Sequence, residues 1–225
     1  MFHDRAQAGR ILGRQVATRV NDTTPIVLAL PRGGVPVGLE IARSLHAADF
    51  DVFLVRKLGV PEREELAFGA IATGGIRVLN RTVIGQAQLS EEAIDRIAGL
   101  EQIELERREL VYREGRPPVD LRDRVVVMVD DGLATGATMT AAVRAVRMKE
   151  PERLVVAVPV ASREARKELR VVADEVICAR VPHSFQAVGC WYEDFEQVTD
   201  DEVCQLLSRF RTPSNTPRSA LRIIG

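Results

Sequence analysis

Two adjacent carboxylates, Asp130 and Asp131, close the apolar run VVVMV at residues 125–129, and a loop of small and hydroxyl residues follows them: Gly132, Leu133, Ala134, Thr135, Gly136, Ala137, Thr138. Each part has a chemical use. Backbone N–H groups where such a loop enters a helix bind phosphate, helped by the helix dipole. Gly136 with the small Ala134 and Ala137 lets the backbone come close, and Thr135 and Thr138 add donors. The carboxylates would repel a phosphate, so they must face something else, either sugar hydroxyls or a hydrated Mg²⁺. A bare Asp-Asp reads as a surface turn; strand, DDGLATGAT and helix in that order read as a ligand site. No GxxxxGK[ST] or GxGxxG accompanies it.

Two further loops carry candidate groups. Pro31-Arg32-Gly33-Gly34 follows a short apolar run, with two permissive glycines and a guanidinium suited to a polyanion. Arg56 and Lys57 follow another, where adjacent cations could neutralise a leaving diphosphate or simply snorkel at the surface. The segment 185–195 (FQAVGCWYEDF) holds the only Trp; its Val188, Trp191 and Glu193, which the family resemblance given below makes base-contact candidates, would serve equally as ordinary packing. His3, His46 and His183 are dispersed, without metal-ligand spacing.

The elements that position these loops read as alternating strands and helices. Ile26–Leu30, Val52–Val55, Val125–Val129, Leu154–Val160 and Glu175–Val181 are short apolar strands. Helices are expected from Pro36 to about Ala47, from a Ser90 cap to about Glu114 (two pieces if Gly99 breaks it), from Thr138, over Arg163–Val172 and over 201–210. Leu66–Ala72 and Ile76–Leu79 form a hairpin across Thr73-Gly74-Gly75. Continuous apolar strands separated by helices predict an α/β fold with an open, mostly parallel sheet flanked by helices, binding ligands at the carboxyl ends of strands.

Composition excludes several classes. The chain has 225 residues, 46% hydrophobic and 28% charged, with 31 Lys plus Arg against 32 Asp plus Glu, for a net charge of −1. That predicts one domain over 1–211, with 212–225 a flexible Pro/Ser-rich tail. There is no global basic excess to hold nucleic acid, and no apolar run nears the ~18 residues of a membrane span. The N-terminus is polar and Arg-studded, and Cys178, Cys190 and Cys204 are odd in number and not in CxxC spacing. These features predict reduced thiols in a cytoplasmic protein with no membrane and no nucleic-acid partner.

The strand–DDGLATGAT–helix segment closely resembles the diphosphoribosyl-binding motif of the type I phosphoribosyltransferases, and the spacing of all three loops is similar to that family over about residues 20–200. The resemblance implies a small hood region made from the chain's ends and a Mg²⁺-dependent transfer of the 5-phosphoribosyl group of 5-phosphoribosyl-1-diphosphate (PRPP) to a small-molecule acceptor base. Asp130 and Asp131 would hold the ribose hydroxyls and, directly or through water, the metal. The loop Leu133–Thr138 would bind the 5-phosphate; Arg32, Gly33, Gly34, Arg56 and Lys57 would bind the diphosphate. Arg32, Lys57, Asp130 and Asp131 are then the catalytic set. Leu58–Glu65 would be a mobile lid hinged at Gly59 and Pro61, with Glu62, Glu64 or Glu65 as a lid acid. Hypoxanthine-guanine relatives usually carry a third Asp where this chain has Ala134; the Ala-Thr-Gly form is more like the adenine type, a similarity that stops short of assigning adenine, so the acceptor is unidentified, with a purine-type base as the candidate. Homodimers are common in the family. The alternatives are a PRPP- or nucleotide-sensing regulator on the same fold, and a ribose-phosphate hydrolase or phosphorylase.

Overall fold

The computed structural model of the chain describes residues 1–20 and 24–211, with Glu64 and Glu65 described as backbone only. The expected tail at 212–225 lies outside the described residues. Five parallel strands form the main sheet: β1 (Ile26–Ala29), β2 (Asp49–Val52), β6 (Val125–Val129), β7 (Arg153–Val160) and β8 (Glu175–Arg180), in the order β2-β1-β6-β7-β8. Alternate residues of β6 point to opposite layers. Val125, Val127 and Val129 join a core with Leu12 and Val16 of α1 (Arg5–Ala17) and Val37 and Ile41 of α2 (Gly34–Ser44). Val126 and Met128 join a second core with Met139, Val143 and Val146 of α5 (Ala137–Arg147) and Ala165 and Leu169 of α6 (Arg163–Leu169). Burial on both faces is why these strands are apolar throughout.

The strand order reverses between β1 and β6. The chain leaves β1 through α2 on one face and leaves β6 through α5 on the other, so a crevice opens at their carboxyl ends. The loops 30–34 and 130–136 flank that crevice.

A smaller antiparallel sheet, β3 (Val55–Val60), β4 (Arg63–Ala72) and β5 (Ile76–Leu79), precedes α3 (Arg81–Gln86) and the long α4 (Glu91–Arg113). The expected hairpin across Thr73-Gly74-Gly75 is present, and α4 is one continuous helix through Gly99, capped by Ser90. Two expectations are corrected. Val52–Val55 is not one strand: Phe53 still bonds Ala29 in the main sheet, whereas Leu54 donates to the buried Thr73 hydroxyl and Val55 pairs with Ala72 in the small one. The run is apolar because it crosses the buried junction of two sheets. The stretch Leu58–Glu65 is not a loop but the β3–β4 hairpin, turning at Pro61-Glu62 with Glu62 at φ +65° and a register irregularity at Gly59.

Helix α1 had no counterpart among the expected elements. Asp4 caps it by accepting from the Gln7 N–H at 2.6 Å, and Ala8, Leu12 and Val16 face the core. A Cβ on Gly9 would lie 2.7 Å from the Val37 carbonyl oxygen, and one on Gly13 2.9 Å from Ser44 Cβ, so these glycines set how closely α1 meets α2. The described residues end in α7 (Asp200–Arg211), packed beside α2 and α4. No helix among the described residues is long and apolar enough to cross a membrane.

Candidate active site

The crevice floor is built by two turns pressed together. After β1 the chain passes through Pro31–Arg32, a cis peptide, into the amino end of α2; after β6 it passes through Asp130 and Asp131. The Leu30 N–H donates to the Val129 carbonyl at 2.8 Å, tying the turns at their root. Glycine is required at the contact. A Cβ on Gly33 would stand 2.0 Å from Asp131 Oδ2, and one on Gly34 2.8 Å from the Val129 carbonyl oxygen and 3.0 Å from Asp130 Cα.

Asp130 and Asp131 are partly open to the crevice. Asp130 Oδ1 accepts the Asp131 N–H at 2.9 Å. Desolvation, reinforced by the neighbouring Asp131 charge, pushes the Asp130 carboxyl well above the ordinary aspartate range. Desolvation raises Asp131 too, opposed by Arg5, whose Nε donates to Asp131 Oδ2 at 2.9 Å. Such a pair of carboxylates favours a cation or hydroxyl donors from a ligand.

The loop beyond them is anchored from below. Leu133 is buried, its N–H donating to the Val160 carbonyl at 2.9 Å and its carbonyl accepting from Ser162 N–H at 2.9 Å. The Ser162 hydroxyl donates to the Ala134 carbonyl at 2.7 Å while capping α6. Gly136, at φ +72°, is the N-cap of α5, in a backbone conformation that disfavours other residues. Ala134, Thr135 and Ala137 are exposed and Thr138 half-exposed, so the first turn of α5 is presented to solvent. Leu133 is thus an anchor, with its own N–H already occupied.

The cations are arranged less simply. Arg32 is half-exposed, its guanidinium 3.8 Å from Asp200 of α7. Successive residues of β3 point to opposite faces, which separates Arg56 from Lys57. Arg56 pairs with Glu101 of α4, away from the crevice. Lys57 is exposed and shares a cavity of about 550 Å³ with Ala137 and Thr140 of α5 and Asn80 and Arg81 beyond β5. The structure therefore brings together Asp130, Asp131, Gly33, Gly34 and the α5 loop, sets Lys57 beside the amino end of α5, and leaves Arg56 in an ion pair.

The 185–195 segment divides similarly. Val188 packs on Gly132, where a Cβ would come within 2.6 Å of Val188 Cγ1. Trp191 lies in a short 3-10 turn whose carbonyl accepts the Phe2 N–H at 2.8 Å, and its buried Nε1 has no partner among the described residues. Glu193 is at the surface, 3.0 Å from His3 Nδ1.

Sequence reasoning missed three contributors. Arg5 bonds Asp131 and, through Nη1, the Glu196 carbonyl at 2.7 Å, with its guanidinium carbon 3.8 Å from the Phe195 ring centroid. The Tyr192 hydroxyl donates to the Asp131 carbonyl at 2.6 Å. Ser162 holds Ala134. Arg5 was visible only as one of several N-terminal arginines, and no spacing rule connects it to a residue 126 positions later. Residues from both ends of the described chain thus clamp Asp131.

No cluster of three or more metal-binding side chains occurs among the described residues. The two carboxylates alone suit a hard cation that takes its remaining oxygens from water and a bound ligand, as Mg²⁺ does.

These features agree with what the chain is similar to. A Mycobacterium tuberculosis (strain H37Rv) protein named "Putative phosphoribosyl transferase" is 45% identical over 209 residues, which cover 93% of this chain and 47% of that protein. The chain therefore spans about half the length of that relative. The Bifunctional protein PyrR of Deinococcus radiodurans is 32% identical over 158 residues, 66% of this chain and 81% of its own. The crystal structure of TT1426 from Thermus thermophilus superposes with a TM-score of 0.84 at 43% identity, covering 93% of this chain and 99% of that one. The family model for the phosphoribosyl transferase domain matches residues 3–194, and the chain belongs to that family.

Proposed function

We propose that the chain transfers the 5-phosphoribosyl group of PRPP to a nitrogenous base, of purine type, with release of diphosphate. The observation that carries this reading is the meeting, at the β1/β6 reversal, of the Asp130–Asp131 pair, the Gly33-Gly34 turn and the exposed first turn of α5. In the reaction the C1–O bond to diphosphate breaks, its electron pair leaving on oxygen, as a base nitrogen donates its lone pair to C1 and gives up a proton. Positive charge builds on the sugar, so catalysis is positioning and electrostatics.

The side chains divide that work. Asp130 and Asp131 accept the ribose 2′- and 3′-hydroxyls, and Arg5 and Tyr192 keep Asp131 in place. The N–H groups at the start of α5 and the Thr135 and Thr138 hydroxyls receive the 5-phosphate. Arg32 turns from Asp200 toward the departing diphosphate, and Lys57 reaches it from β3 when the β3–β4 hairpin closes and excludes water. Mg²⁺, held by Asp130 and Asp131 through water, would supply charge neutralisation of the diphosphate. The three cysteines are unpaired thiols, in keeping with a reducing, cytoplasmic setting.

One observation favours a second reading, a PRPP-sensing regulator: Asp131 and Arg32 are each already engaged by a charge of the protein itself, Arg5 and Asp200. The test is diphosphate release from PRPP and Mg²⁺ across a panel of purine and pyrimidine bases. Base-dependent release supports transfer. PRPP binding without release for any base supports sensing, and release without a base would instead mean hydrolysis.

A further inference from the structure

Strand β8 is the terminal strand of the main sheet, and among the described residues its outer edge has no strand partner. α1 covers that edge from one face and α6 from the other, and between them lies a cavity of about 710 Å³. Its walls carry Arg14 from α1 and Arg19 just beyond it, Arg166 from α6 and Arg170 at its end, and Asp174 and Glu175 at the foot of β8. A smaller recess of about 410 Å³ continues along α6, sharing Arg166 and Arg170 and adding Arg163 and Lys167.

The acids of this cleft are already occupied. Asp174 accepts from Arg147 at 2.5 Å and from the Leu154 N–H at 2.7 Å. Glu175 accepts from Arg19 at 3.1 Å and Arg153 at 2.6 Å. That leaves the guanidinium groups of Arg14, Arg166 and Arg170 with no ion-pair or hydrogen-bond partner among the described residues, in a chain whose net charge is −1. The Nε of Arg166 is moreover buried without an acceptor among the described residues, a desolvated donor. Guanidinium groups on two walls of one cavity suit linked phosphates, which such groups bind in bidentate fashion.

We propose that this cleft is a second anion site, for a small ligand carrying two or more linked phosphates. A nucleic-acid strand fits less well, because none of the residues lining the cavity is aromatic and a strand would find no stacking platform. The helices that line the cleft also hold the crevice. α1 carries Arg5, which bonds Asp131, and α6 is capped by Ser162, which bonds Ala134. A ligand drawing Arg14 and Arg166 together therefore acts on the two elements that fix the carboxylates and the phosphate loop. This effect on PRPP rests on the function proposed above; the site itself does not.

The test is calorimetric titration of inorganic triphosphate, and separately ATP, into the purified full chain in EDTA. The variants are Arg166→Gln/Arg170→Gln, Arg14→Gln on the opposite wall, and Arg32→Ala/Lys57→Ala in the crevice. Both cleft variants should weaken triphosphate at least tenfold while keeping the wild-type melting temperature, and the crevice variant should leave this binding in place. Tighter ATP than triphosphate at this site would identify a nucleotide, and equal affinity a bare phosphate chain; both support it. Wild-type affinity in the cleft variants, or loss only in the crevice variant, overturns the proposal. So would a ten-nucleotide RNA that binds through Arg166 more tightly than either probe. None of these outcomes depends on whether PRPP is a substrate.

Discussion

Replacing Gly33 by alanine separates folding from function in a way the geometry specifies. Gly33 has φ −60° and ψ −31°, right-handed values that alanine adopts without strain. On backbone grounds Gly→Ala should stabilise by roughly 0.4–1 kcal/mol. The added carbon would stand 2.0 Å from Asp131 Oδ2 and 2.6 Å from its Cγ, so the carboxylate has to swing away. It is the end of a side chain and can move, but moving it breaks the 2.9 Å bond from Arg5. A hydrogen bond to a charged group is worth about 1.5–3 kcal/mol. Subtracting the backbone gain leaves a net loss of about 0.5–2.6 kcal/mol, and at roughly 2–4 °C per kcal/mol for a domain this size the melting temperature should fall by about 1–10 °C. PRPP affinity, read by titration calorimetry, should fall at least tenfold because the ribose acceptor has been displaced. On an Asp131→Asn background the same substitution should cost little further affinity. Wild-type PRPP affinity in Gly33→Ala would refute the reasoning, because Asp131 would then not be a ligand-binding group.

Other perturbations give equally direct readouts. Folding raises the carboxyl pKa of Asp130 and Asp131, so that contribution to stability is whole below the ordinary aspartate pKa of about 3.9 and is lost as pH rises through the raised values. Asp130→Asn should therefore melt above the wild type at pH 7, with the gap closing toward pH 4, while PRPP binding falls; a melting temperature lowered at pH 7 would contradict this. Gly99→Ala, with nothing within 4 Å of the new carbon in mid-α4, should raise stability by about 0.8–1 kcal/mol without touching PRPP affinity, as thermal melts and titration would show. Lys57→Ala should depress diphosphate release far more than it lowers the melting temperature. Arg56→Ala, which loses only a half-exposed pair with Glu101, should cost at most about 1 kcal/mol and leave turnover near wild type; the reverse pattern in kinetics would exchange their roles.

The main sheet was legible because both of its faces are covered, which forces runs such as VVVMV and leaves no ambiguity with amphipathic helices. Asp130, Asp131 and the α5 loop were legible for the same reason: a carboxylate pair directly after such a run must sit at a strand's carboxyl end. What could not be read is whatever depends on contacts distant in sequence. Arg5 reaches Asp131 across the whole domain, and Tyr192 does so from the other end. The apolar VFLV run hid a change of sheet, because both sheets bury their junction at Thr73. Arg56 and Lys57 looked equivalent as adjacent cations, yet β3 is a strand, and its pleat sends one to Glu101 and the other toward α5.

The central claim is that the crevice between β1 and β6 is a PRPP site. Its most direct test is calorimetric titration of PRPP into the purified chain with and without Mg²⁺. Saturable binding that strengthens with Mg²⁺ and is lost in Asp130→Asn/Asp131→Asn is the predicted result. No heat of binding at millimolar PRPP, with or without the metal, would contradict it.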